Sequence, residues 1–159
     1  MPLYLGPCLR DDVDQRGKGI SLFAYPSTTV DLVDGNLVSA VLATTTYGAG
    51  KSVEKFAFAT SYFPASVGFV DHAVDASQYK YDQVGIPRLI KVVTTGVKVD
   101  VVTDGSTTVG SYQVPAPATD GACTDGATTT DPGYAIGVAM DGDGVGTSAD
   151  VLVFPRWYV

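Results

Sequence analysis

The sequence predicts an all-β protein, and three observations carry that prediction. Of the seventeen acidic residues sixteen are Asp and only Glu54 is Glu, and Val and Thr together far outnumber Leu. Glu and Leu favour helices, whereas β-branched Val and Thr fit a pleated, half-buried surface. The apolar runs are short and are separated by clusters of Gly, Asp and Thr, which supply turns. At 159 residues the chain is about one domain long, and a domain of that size buries about 70% of its unfolded surface.

The elements follow in order. Residues 1–19 combine Pro2, Gly6, Pro7, Gly17 and Gly19 with the mixed-charge run "RDDVDQRGK" and have no apolar period, so they read as an extended N-terminal arm. The apolar "PLYL" within it needs burial against its own domain or a neighbour. Residues 20–95 form an N-terminal β-rich region with strands expected at "ISLFAY" from Ile20, "TTVDLV" to Val33, "NLVSAVLATTT" from Asn36, "SVEKFAFAT" from Ser52 and "RLIKVVTT" from Arg88. A short helix is expected at "DHAVDASQYKYD", where Ala73, Val74, Ser77 and Tyr81 have approximate helical spacing. Residues 96–159 form a C-terminal β-domain with strands at "VKVDVVT" from Val97, "SYQVPA", "YAIGVAM" and "ADVLVF". In "VKVDVV" the alternation predicts Val97, Val99 and Val101 on one face, with Lys98 and Asp100 on the wet face. Many short strands divided by such turns predict a β-sandwich or barrel.

Charge and cysteine usage exclude some function classes. Residues 1–99 hold nine Lys/Arg and nine Asp/Glu, whereas residues 100–159 hold eight Asp and one cation, Arg156. Nucleic-acid affinity comes largely from Lys and Arg displacing phosphate counterions, so no nucleic-acid partner is expected for this acidic module. Cys8 and Cys123 have no metal or redox spacing and read as free thiols. The early residues are too charged for a signal-peptide core, and no apolar stretch approaches the ~20 residues of a membrane span, so a soluble protein without a membrane partner is expected.

Several motifs tempt a chemical reading. "YGAGKS" ends like a nucleotide-binding P-loop, but the first glycine of that pattern would fall at Thr45. The segment after Ser52 also alternates with period two, where a P-loop requires a helix. The run reads instead as a hairpin turn in which Gly48 and Gly50 supply positive φ. In "MDGDGVGTSADV", Asp141, Asp143 and Gly146 occupy the first, third and sixth places of an EF-hand loop. The fifth is Val145 and the twelfth Leu152, neither a ligand, so turn chemistry accounts for the run. His72 is the one histidine, and no nucleophile is tied to it by spacing, so no catalytic residue is assigned. Neither a cofactor-binding nor a metal-binding residue is assigned, and no enzyme activity is expected. Tyr79, Tyr81, Trp157 and Tyr158 suit a carbohydrate groove, although core or interface packing is the better explanation of them.

From Val97 onward the order of features is more specific. A strand leads to Asp104, Gly105 and Gly110; Ile136, Gly137, Val138, Ala139 and Met140 then lead through Gly144 to Val151 and Val153. This pattern resembles the β-domain of tailed-bacteriophage head decoration proteins, also called capsid cement proteins, over residues 97–159. The resemblance implies a β-tulip or barrel-like domain, a homotrimer, and the major capsid protein as partner. It implies a place on the capsid surface of the virion after synthesis in the host cytoplasm, and a stabilising role against the pressure of packaged genome. It transfers no capsid-contact residue to a position of this chain. The alternative is a carbohydrate- or receptor-binding fibre module, motivated by Tyr79, Tyr81 and Trp157. Under the hairpin reading, Lys51→Ala leaves the circular-dichroism melt within about 1 kcal/mol of wild type, as surface changes do, whereas Gly48→Val or Gly50→Val lowers it.

Overall fold

A computed structural model of the chain describes residues 20–26, 32–41, 52–58, 66–71, 89–105, 107–126, 135–142 and 148–154. Among these residues there is no helix, and nine strands run in chain order: β1 (Ile20–Pro26), β2 (Leu37–Ala40), β3 (Ser52–Lys55), β4 (Ser66–Val70), β5 (Ile90–Val102), β6 (Tyr112–Pro115), β7 (Cys123–Asp125), β8 (Gly137–Ala139) and β9 (Ser148–Val153). The fold is all-β, as the composition predicts. The stretch expected to be helical, apart from its first residue Asp71, the arm 1–19 and the turn carrying Gly48 and Gly50 lie outside the described residues. The two strands flanking that turn, β2 and β3, are antiparallel neighbours, with Val38 opposite Lys55 and Ala40 opposite Val53.

The sheet order is β1-β3-β2-β4-β5-β9-β8-β6-β7, with a further pairing of β1 to β5. That extra pairing closes β1, β3, β2, β4 and the first half of β5 into a ring of five strands. Within it only β1 and β3 are parallel. The second half of β5 continues into β9, β8, β6 and β7. This second ring is tied shut by the parallel bridge Thr103 to Cys123, whose carbonyl accepts the Asp104 amide at 2.8 Å. One long strand therefore serves two small rings.

The rings share a core as well. Ala24, Leu32, Val38, Val53, Val70, Ile90 and Val92 fill the first ring. Leu37, Phe56 and Phe69 pack instead against Val101, Cys123, Ile136, Ala149, Val151 and Val153. Leu37 and Val38 are neighbours in β2 yet both fully buried, because one face of that strand looks into the first ring and the other is covered by the second. A strand covered on both faces reads as a continuous apolar run, whatever the direction of its neighbours. Each fully buried side chain of this kind contributes roughly 1.5–3 kcal/mol.

Three sequence expectations are corrected. "RLIKVVTT" and "VKVDVVT" form the single strand β5, not two: the chain bends at Gly96, where φ is 97°, and pairing passes from β1, at Thr95, to β9, at Gly96, without a turn. The alternation in "VKVDVV" is also broken. Two residues of β5, Val99 and Asp100, stand opposite Asp150 alone, so the register shifts between Lys98 and Val101. This β-bulge places Asp100 at φ 54° and reverses the phase. Lys98 is 2% exposed and Val99 43% exposed, the opposite of the expected faces. Finally, "SVGFV" and "CTD" form β4 and β7, neither of which the turn and alternation signals predict.

The rings meet at a tight backbone contact. Gly35 donates to the Val70 carbonyl at 2.9 Å and accepts the Val102 amide at 3.0 Å. Its φ is 81°, and a Cβ there would lie 2.0 Å from the Asp100 carbonyl oxygen. Both the dihedral and the space require glycine. Gly35→Ala is expected to destabilise the protein by about 3 kcal/mol or more in urea unfolding, from positive-φ strain plus backbone displacement.

Candidate functional site

The second ring inverts the usual distribution of polarity. Ser111 and Gln113 are buried, with Gln113 fully inaccessible, while Tyr112 and Val114, which alternate with them, are half-buried. Gln113 Nε2 donates to Asp125 Oδ1 at 2.7 Å and to Ser111 Oγ at 3.0 Å. Ser111 Oγ donates to the same Asp125 oxygen at 2.6 Å, and the Thr108 amide to Oδ2 at 2.9 Å. Burial by itself raises the Asp125 carboxyl, but the donors on Ser111, Gln113 and Thr108 outweigh it and hold the group below its ordinary value of 3.8. Cys123 donates to Gln113 Oε1 at 3.4 Å, and burial together with the nearby Asp125 charge pushes its thiol up to about 12. A thiol so held stays protonated and is a poor nucleophile.

A second polar group lies at the junction. The inaccessible Lys98 ammonium reaches Asp34 at 2.9 Å and donates to the Val99 carbonyl. A cavity of about 50 Å³ beside it is lined by Ser21, Asp71, Lys91, Val93, Val97, Lys98 and Val99, with room for a few waters. Lys91 pairs with Asp71 at 3.1 Å. Each ammonium faces its own carboxylate, so the cavity presents balanced charge and does not form an anion site.

Part of the solvent face of the second ring is apolar. Val97 lies opposite Leu152, Leu152 opposite Val138, and Val138 opposite Tyr112, forming one row across four strands. Leu152 is 41% exposed, and the other three are half-buried. Phe154, just past β9, meets Tyr112 edge to face with ring centres 6.5 Å apart. Val99 and Met140 add exposed apolar surface nearby.

Of the residues singled out from sequence, Ser52, Cys123, Asp141 and Leu152 are among the described ones. Ser52 opens β3 and is fully buried, and the strand that follows it is incompatible with a phosphate-binding helix N-terminus. Leu152 lies within β9, and Asp141 Oδ1 accepts the Asp150 amide at 2.6 Å. Among the described residues no group of three or more His, Cys, Asp or Glu is placed to hold a metal ion. Lys51, His72, Tyr79, Tyr81, Asp143, Gly146, Trp157 and Tyr158 lie outside the described residues. Sequence reasoning missed the Asp125 network because "SYQV" shows polar residues at alternate positions. Such residues ordinarily face water; here they face inward and satisfy one another.

The arrangement defines an all-β body of two closed strand rings sharing one strand. No protein-family model matches the chain, and no curated protein matches it. Among solved structures it is similar to the N-terminal base of the head fibre protein gp8.5 of bacteriophage phi29. That match has 14% sequence identity, covers 85% of this chain and 93% of that one, and has a TM-score of 0.53. The likeness is one of fold.

The Asp125 network makes stability acid-sensitive. A carboxyl whose native pKa is lowered contributes stability that is complete above its unfolded value of about 4 and is lost as pH falls through the lower native value. Asp125→Asn is therefore expected to flatten the fall in urea midpoint between pH 5 and pH 3. Unchanged pH dependence in the variant would show that this carboxylate does not contribute.

Proposed function

We propose that this chain is a structural protein of a phage head, seated on the outer surface of the shell. The observation that carries the reading is the fold likeness to a phage head fibre base, which spans most of both chains. It stands beside the decoration-protein pattern of residues 97–159, a resemblance drawn from the sequence independently. The protein works by binding, without catalysis. Anything that binds the assembled shell and not its dissociated parts stabilises the assembly by its binding free energy. Many copies, each burying on the order of 1,000 Å² against the major capsid protein, resist the internal pressure of the genome. The decoration resemblance supports a homotrimer as the binding unit.

A second reading assigns the chain to the base of a head appendage, such as a receptor- or carbohydrate-binding fibre. The fold likeness favours it in its own right, because the similar protein is itself a head fibre base. The two readings share attachment to the head and differ in what the attached protein does.

Mixing the purified protein with heads that lack it separates them. Saturable binding at micromolar concentration, together with a raised disruption temperature of the heads, is the expected result. Binding without any change in that temperature favours the appendage base. A protein that stays off the shells at micromolar concentration overturns both.

A further inference from the structure

Asp-Gly pairs recur along the sequence, at Asp34, Asp104, Asp120, Asp125, Asp141 and Asp143, and the fold leaves one of them chemically open. The pair at Asp143 lies outside the described residues. Aspartate followed by glycine is prone to one spontaneous reaction, because no side chain on the second residue hinders attack of its backbone nitrogen on the preceding carboxyl carbon. Two things oppose that attack in a folded chain. The glycine amide is slow to react while it donates a hydrogen bond, and the carboxyl cannot turn back onto the main chain while it is held elsewhere.

The pairs at Asp34, Asp120, Asp125 and Asp141 are restrained in one or both ways. Gly35 donates to the Val70 carbonyl at 2.9 Å, and Asp34 pairs with Lys98 at 2.9 Å. Gly121 donates to the Phe56 carbonyl at 2.7 Å. Gly126 donates to the Tyr112 carbonyl at 2.7 Å, while the Asp125 carboxylate accepts from Ser111, Gln113 and Thr108. Asp141 accepts the Asp150 amide at 2.6 Å, and Gly142 packs so closely on the loop before β6 that a Cβ there would lie 3.1 Å from the Thr107 carbonyl oxygen.

Asp104 and Gly105 differ on each count. Both are exposed, and among the described residues neither the Asp104 carboxylate nor the Gly105 amide has a hydrogen-bond partner. A Cβ on Gly105 would meet nothing within 4 Å. The pair also stands where the second ring closes. The Asp104 amide donates to the Cys123 carbonyl at 2.8 Å, and Thr103, bridged to Cys123, donates through Oγ1 to the Gly105 carbonyl at 3.1 Å.

We propose that Asp104 is a site of spontaneous isoaspartate formation, and that the change loosens the closure of the second ring. The Gly105 nitrogen bonds to Cγ of the neutral Asp104 carboxyl, whose hydroxyl leaves with the amide proton as water, and a five-membered succinimide results. Water then adds to one of the two imide carbonyls, and the carbon–nitrogen bond there breaks. Opening at the former side-chain carbonyl restores aspartate, whereas opening at the former main-chain carbonyl routes the chain through Cγ and frees the α-carboxylate. One water leaves and one returns, so no oxidant, cofactor or other reactant is consumed. The isoaspartyl main chain is longer by one carbon, roughly 1.5 Å, beside the bridge that ties β7 to the residue just past β5.

The purified protein is held for weeks at neutral pH and digested, and electron-transfer fragmentation then distinguishes the two linkages of equal mass. In the folded protein isoaspartate is expected to form at Asp104 severalfold faster than at Asp34, Asp120, Asp125 or Asp141, and in urea at similar rates at all of them. Asp104→Asn should form it faster still, losing ammonia in place of water. Asp104→Glu, whose imide would need six members, should abolish it, and far-UV circular dichroism checks that both variants are folded. Cys8→Ser leaves Cys123 as the one thiol; on this background ageing should speed its reaction with a neutral disulfide reagent severalfold, and should not do so when Asp104→Glu is added. Conversion at Asp104 no faster than at the restrained pairs overturns the site, as does the same preference for Asp104 in urea or an Asp104→Asn variant that keeps its amide. An isoaspartyl protein whose Cys123 reacts no faster than before overturns the loosening.

Discussion

Gly35 occupies a point where both rings need the same small space. Its amide is held by β4 and its carbonyl by the far end of β5, with the Asp100 carbonyl pressed against the position a side chain would take. The neighbouring Asn36, buried at 3% exposure, extends the joint. Its Oδ1 accepts the Val33 amide, and its Nδ2 donates to the Gly121 carbonyl. Gly121 in turn donates to Phe56 and accepts from Leu37. Backbone from β2, β4, β5, the end of β3 and the loop before β7 thus converges within a few residues. The shared apolar cluster of Leu37, Phe56 and Phe69 with Val101 and Val151 forms around this joint, which brings those faces into contact.

How much of this was legible in the sequence depended on whether the signal was local. Composition sufficed for the all-β class, since Asp, Val and Thr act through intrinsic preference wherever they stand. The strands that begin at Ile20, Ser52, Tyr112 and Gly137 were visible for the same reason, and their neighbours supplied clear turns. β4 was not visible, because "SVGFV" is largely buried by partners from elsewhere in the chain and shows no alternation. The bulge at Val99 and Asp100 was equally hidden, being set by the pairing with β9 some fifty residues away. Of the candidate site residues, Ser52 was drawn from a motif whose chemistry its strand forbids. The polar network on Asp125 carries no motif and could be recognised only once β6 and β7 were paired.

Burying Gln113 and Ser111 while leaving Leu152 and Tyr112 toward solvent is costly unless each polar atom finds a partner, since an unpaired buried amide costs about 1–3 kcal/mol. Here the carboxylate of Asp125 gathers three donors, and the Gln113 oxygen is satisfied by a thiol. The interior of the second ring is therefore specified by directional bonds as well as by volume. Directional bonds tolerate fewer alternative packings than apolar contacts do. A ring of mostly short strands gains a defined register from them that so few aliphatic contacts would not impose.

Ring closure has a bearing on crowding. Among the described residues, the strands at the two ends of the sheet order, β1 and β7, are each tied back to β5 or the residue just past it. An open edge is a template on which another molecule can add its own strand. On a surface where many identical chains sit side by side, local concentration drives such additions strongly. A body whose terminal strands are occupied by its own chain resists such strand addition.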